Sequence, residues 1–347
     1  MKKNLKTIVI YGIILLLCAA AAVDFIRNKT AAGADAAGIL TASGTLEHAE
    51  AIIKKSAEPP APNPTVGIGR GTDYASVTRS AIENAGGLKD IIKKGDVVLI
   101  KPNLCTNAKP DSPTTTDYRV VKEVAAMAKE CGASKIIIAE GSFVGETFNE
   151  INFRQNLYDT IKDVEFFNIN NCEKEDCYEL TPENNLLDKT MFIPKVYMDA
   201  DVVITVPKMK THYVKEAVVS LSLKNCFGAI STRVYGSVDK SGLHSFNLNE
   251  VISEINKIRR PDFAVIDGIV GGEGYGPVSN TPVESNIVIA GKDLVAVDTV
   301  GLTFMGQDVD HVPHVKFAGE QNIGISDINK IKIVGAKLDE IKMYFKR

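Results

Sequence analysis

The sequence predicts an α/β fold, a mainly parallel, doubly wound sheet with helices on both faces. Three observations carry this. Short, uninterrupted apolar runs rich in β-branched residues recur from Val66 to Val334. Amphipathic segments of helical period lie between the earlier ones. No internal repeat or change of composition divides the chain beyond residue 65, which favours one domain with insertions. A strand that is apolar on both faces must be covered on both, and that condition belongs to parallel sheets.

The elements follow in order. Val66 to Gly69 reads as a short strand, and Asp73 as the N-cap of a helix over Tyr74 to Ala85 that stops at Gly86-Gly87. Val97 to Lys101 is a buried strand. Asp117 caps a helix that runs to Cys131 and is ended by Gly132, and Lys135 to Ala139 is the next strand. Val202 to Val206, Phe263 to Ile266, Ile287 to Ala290 and Ile331 to Val334 repeat the pattern.

The first residues obey other rules. Lys2, Lys3 and Lys6 precede an apolar run from Ile8 to Val23 that meets no charge before Asp24. This is a targeting segment, and its leading lysines place the N-terminus in the cytoplasm and the body outside. We read residues 1–27 as a retained single-pass anchor in the cell membrane. Cleavage after Ala22, which would release a secreted protein, and lipidation at Cys18 are the alternatives. Residues 28–64, rich in Ala and ending in Pro59, Pro60, Pro62 and Pro64, read as a spacer with one short helix near His48 to Lys55. Residues 65–347 are the globular domain. A net charge of −3 and no basic-aromatic pattern argue against nucleic acid as a partner. In an exported body, Cys172 and Cys177 are the expected disulfide.

Ligands of open parallel sheets bind beyond the carboxyl ends of the strands, and those ends are dense in polar residues here. Lys101-Pro102-Asn103, Glu140-Gly141-Ser142, Pro207-Lys208-Met209-Lys210-Thr211-His212 and Asp267-Gly268 each follow an apolar strand. Lys208, Lys210 and His212 alternate, so an extended chain would turn all three to one side. Lys101, Asn103, Lys210, Asn225 and Gly274 are expected to bind a small anion, and Lys208 and Lys224 to help hold it and to act with the histidines as catalytic residues. His212 and His244 are the expected proton-transfer pair. Asp267, Glu273 and Asp298 are candidate ligands for a divalent metal, with Asp298 placed at a helix start. The run Gly268 to Gly276 reads as a loop that could approach a phosphate closely. His311 and His314 read as structural, and His48 lies in the spacer.

Together, Lys101-Pro102-Asn103, the run Val206 to His212, Ser222-Leu223-Lys224-Asn225 with Gly228, Asp267-Gly268 with Glu273-Gly274-x-Gly276-Pro277, and Asp293-x-Val295-Ala296-x-Asp298 resemble the family catalogued as domain of unknown function 362. The resemblance covers the chain from about Thr65 onward. It implies little about a reaction. Some family members carry an added ferredoxin-like module and an iron–sulfur label, but this chain lacks such a cysteine run, so no cluster is expected. The resemblance extends distantly to nickel-dependent lactate racemase-like enzymes, in which His and Lys residues surround a small hydroxy acid. The expectation is an extracytoplasmic enzyme acting on a carboxylate-bearing anion by His/Lys acid–base or metal-assisted chemistry. A non-catalytic exported anion- or metal-binding protein and an iron–sulfur-associated redox protein are the alternatives.

Overall fold

The sheet forms where the apolar β-branched runs lie. Its strands in chain order are β1 (Thr65–Arg70), β2 (Val97–Pro102), β3 (Lys135–Glu140), β4 (Glu165–Asn168), β5 (Cys177–Leu180), β6 (Met191–Pro194), β7 (Val202–Val206), β8 (Lys208–Thr211), β9 (Val219–Ser220), β10 (Phe263–Tyr275), β11 (Ser279–Gly291) and β12 (Lys332–Gly335). The computed structural model describes residues 45–105, 110–142, 160–182, 184–213, 217–236, 240–243 and 245–347. The expected anchor (1–27), residues 28–44 of the expected spacer and His244 lie outside the described residues. Among those that are described, no helix is long and apolar enough to cross a membrane.

The main path of the sheet runs β12-β1-β11-β10-β7-β2-β3-β4. Every neighbouring pair on it is parallel except the two that β11 makes, with β1 and with β10. β8 branches off, parallel to β10 and antiparallel to β9. β5 and β6 make a separate antiparallel ribbon.

The helices that cover the sheet or bear on the site are α1 (Leu46–Ser56), α2 (Tyr74–Asn84), α3 (Tyr118–Glu130), α4 (Ser222–Asn225), α5 (Leu248–Ile258), α6 (Leu294–Phe304) and α7 (Pro313–Glu320). Asp73 caps α2 by accepting from the Ser76 N–H, and Asp117 caps α3 by accepting from the Arg119 N–H, which satisfies donors that a helix start leaves unpaired. Adjacent strand residues point to opposite faces. Val265 joins the apolar cluster that includes Val77 of α2 and Val124 of α3. A Cβ added to Gly301 of α6 would lie 3.2 Å from Ile266, the next residue of the strand. Both faces are therefore covered, as the continuous apolar strands require.

Several expectations are corrected. The run from Gly268 to Tyr275 is strand, not loop: β10 continues through it and pairs with β11 as far as Tyr275↔Ser279. Gly272 and Gly276 serve close packing of the chain on itself, because a Cβ at Gly272 would strike the Pro113 carbonyl and one at Gly276 the Thr211 carbonyl. Asp298 is not at a helix start. Asp293 caps α6 by accepting from the Ala296 N–H, and Asp298 lies inside the helix. Part of the expected spacer belongs to the body. Ala49 and Ile52 of α1 are buried, Lys55 pairs with Asp262 at 2.7 Å, and the Arg260 N–H donates to Ser56. Cys172 and Cys177 are buried free thiols rather than a disulfide, on either side of a single 3-10 turn, Lys174–Asp176.

Candidate anion-binding site

The carboxyl ends of β2, β3 and β7 open towards the stretch that runs from β9 through α4 to the start of α5. Between them lies a cavity of about 690 Å³. Asn103 and Cys105 enter from the end of β2, and Glu140, Gly141 and Ser142 from the end of β3. Lys210 and His212 come from β8 and the residue after it. Lys224, Asn225, Phe227 and Lys240 come from the opposite stretch.

The floor is a continuous hydrogen-bonded chain. Lys101 Nζ donates to Glu140 Oε2 at 2.8 Å and to Asn225 Oδ1 at 3.3 Å. Asn103 Nδ2 also donates to Asn225 Oδ1, at 3.4 Å, and Asn103 Oδ1 accepts from Lys210 Nζ at 3.2 Å. Asn225 Nδ2 donates to the Lys101 carbonyl at 3.0 Å and to Thr205 Oγ1 at 2.8 Å, which fixes its amide. Burial raises the Glu140 carboxyl above the ordinary carboxylate range, while Lys101 and Lys240 draw it back. The backbone makes room for this contact at Gly228, where a Cβ would strike both Glu140 and Lys101 Nζ.

Lys210 is the informative side chain. It is fully buried, and its ammonium donates to the carbonyls of Thr114 (2.6 Å) and Pro277 (3.0 Å) and to Asn103, and lies 3.0 Å from Cys105 Sγ. All of these partners lack a formal carboxylate charge. Across the cavity, Lys224 and Lys240 hold their ammonium groups 4.9 and 5.4 Å from the Phe227 ring centroid, and Lys240 also donates to the Gly141 carbonyl at 2.9 Å. Among the described residues lining the cavity, three lysines face one carboxylate, and that carboxylate is already bonded to Lys101.

His212 lies at the same wall, its ring stacked on Tyr213 with centroids 5.6 Å apart. Burial, followed by the charges of Lys224, Lys210 and His314, lowers its imidazole to about 2, so it is neutral across the physiological range.

Other expected site residues are placed elsewhere. Lys208 points away from Lys210 and makes a fully buried ion pair with Asp267 at 2.8 Å, and Asp267 also accepts from the Asp117 N–H. The reason is a slip in register. β8 pairs with β10 at Lys208↔Asp267 and next at Lys210↔Gly272, so simple alternation fails. Lys101 stands just behind the cavity wall. Glu273 accepts from the Lys346 N–H, and Gly274 donates its N–H to the Lys346 carbonyl, both away from the cavity. Asp298 accepts from the N–H groups of Ser222 (2.7 Å) and Leu223 (2.9 Å) and so caps α4 from outside. Burial raises its carboxyl to about 7. The three candidate metal ligands are thus held in three separate structural roles. Among the described residues no group of three or more His, Cys, Asp or Glu side chains is arranged to hold a metal, and the described cysteines are free thiols. As placed, Asp267, Glu273 and Asp298 do not come together as one set of metal ligands.

Lys240 and Cys105 were not singled out from the sequence, and Glu140 was named at its strand end without a role. Glu140 could have been given one, since it ends a strand at the ligand-binding edge. Lys240 and Cys105 sit in irregular segments with no periodic signal.

The family model described as "Domain of unknown function (DUF362)" matches residues 98–303, which contain the described site residues. This chain belongs to that family. A thylakoid-associated protein of Synechocystis sp., sll1697, is 29% identical over 254 residues, covering 72% of this chain and 74% of its own. A solved structure from Thermotoga maritima aligns with a TM-score of 0.37 at 11% identity, covering 61% of this chain and 55% of that one.

Proposed function

We propose that this family member binds a small organic anion in the cavity at the carboxyl edge of its sheet and acts on it by proton transfer. The observation that carries the reading is Lys210. A fully buried ammonium whose partners are two carbonyls, an amide and a thiol invites an anion at the open side of its wall. Lys224 and Lys240 add to the same positive field.

The same geometry suggests why an anion and a base belong together. Burial and the surrounding lysines hold His212 neutral and weakly basic. An anion seated among Lys210 and Lys224 would offset the lysine part of that shift, while burial, the larger part, stays, so His212 becomes a better proton acceptor with the substrate in place than without it. His244, from the same stretch of chain, stands as its proposed partner. A membrane setting is the second part of the proposal: the basic-apolar N-terminus would tether the domain, and the thylakoid association of the Synechocystis relative favours it.

Titration calorimetry of the full-length chain with acetate, oxalate and phosphate tests the site. Binding that weakens with salt and is lost in Lys210→Met is the expected result. Wild-type binding that Lys210→Met leaves intact would remove Lys210 from the site. Turnover is tested by proton–deuterium exchange in a panel of carboxylic acids in D2O, with loss of exchange expected in His212→Gln.

A further inference from the structure

We infer that the ligand of this cavity is an amphiphilic organic acid, one anionic group on an apolar and preferably aromatic body, rather than a compact anion such as phosphate or acetate. This rests on the anion-site reading above and narrows it to a ligand class.

The first argument is size. The cavity holds about 690 Å³, within the range typical of sites for drug-sized molecules, roughly 300–1,000 Å³. An anion of a few heavy atoms would touch one wall and leave most of this space to water.

The second is the division of the lining. Lys210, Lys224, Lys240, Asn103 and Glu140 supply the polar groups, whereas Phe227, Leu243, Phe246, Leu248 and Pro277 supply apolar surface. Phe246 and Leu248 are only partly buried, so they keep apolar area facing the cavity that a ligand can cover. A site for a compact anion has no use for that surface, and covering apolar area is the main source of affinity in such pockets.

The third is Phe227, which joins the two regions. The ammonium groups of Lys224 and Lys240 both sit within 6 Å of its ring centroid, where the ring's negative face attracts them. Phe227 thereby holds two cations at the boundary between polar and apolar lining. A carboxylate placed there would direct the rest of its molecule towards Phe246 and Leu248.

The test is titration calorimetry of the full-length chain with four probes: acetate, phosphate, 2-naphthoate and its neutral counterpart 2-naphthamide. The inference expects 2-naphthoate to bind at least about tenfold more tightly than acetate or phosphate, because the ring system covers apolar surface. It also expects 2-naphthamide to bind at least about tenfold more weakly than 2-naphthoate, for want of the charge. Phe246→Ala, at a partly buried position, should weaken 2-naphthoate severalfold and leave acetate unchanged. If acetate and phosphate match 2-naphthoate, the amphiphile is overturned and the anion site stands. If 2-naphthoate and 2-naphthamide bind alike, or no anion binds, the anion site fails and this inference with it.

Discussion

At the scale of single residues, His212 shows how far burial and charge can move a side chain from its ordinary behaviour. Its folded imidazole titrates near 2, against about 6.5 in an unfolded chain. Between these values the unfolded state binds the extra proton, so acidification favours unfolding and stability falls as pH drops below 6.5. The loss from this one group is at most about 1.4 kcal/mol per pH unit. His212→Gln removes it. Denaturant unfolding of both proteins at pH 7 and pH 5 should show the wild type losing more stability than the variant, and equal losses would mean that His212 is not held neutral. Asp298, raised to about 7, contributes the opposite slope, but it is present in both proteins and cancels in the difference.

At the scale of elements, α4 is a single turn that carries Lys224 and Asn225 into the site. A helix this short cannot sustain itself and is held by what satisfies its ends. Asp298 does this from α6, accepting two backbone N–H groups that would otherwise be buried without partners. Asp298→Ala should therefore cost about 2–4 kcal/mol in chemical denaturation and weaken anion binding, although residue 298 does not line the cavity. Asp298→Asn, which keeps one acceptor oxygen, should fall between the two. A fully stable Asp298→Ala variant would show that α4 is anchored by other contacts.

At the scale of the whole molecule, α1 is sealed onto the body through Ala49, Ile52, the Lys55–Asp262 pair and the Ser56–Arg260 contact, none of which lines the cavity. Ala49→Glu puts a charge into a fully buried position and should lower unfolding stability by about 2–4 kcal/mol while leaving the affinity for acetate unchanged. Unaltered stability would mean that α1 is a detachable spacer after all.

How much of this was legible beforehand follows from what each feature depends on. The strands β1, β2, β3 and β7, the caps Asp73 and Asp117 and the location of the polar site at the carboxyl edge were readable, because they rest on local rules: apolar continuity, side-chain oxygens at helix starts, and the geometry of parallel sheets. Lys210, His212, Lys224, Asn103 and Asn225 could be named on the same ground. What tertiary structure alone decided was partnership. Whether a buried lysine meets a carboxylate, as Lys208 meets Asp267, or only neutral acceptors, as Lys210 does, depends on a register slip between strands more than fifty residues apart in sequence. The same holds for Asp298 reaching α4, for Lys101 lying behind Gly228, and for the apolar lining near the lysines. Spacing along a chain reports which way neighbouring side chains point. It carries no information about which distant groups will share a low-dielectric interior, and there charge pairing determines chemistry.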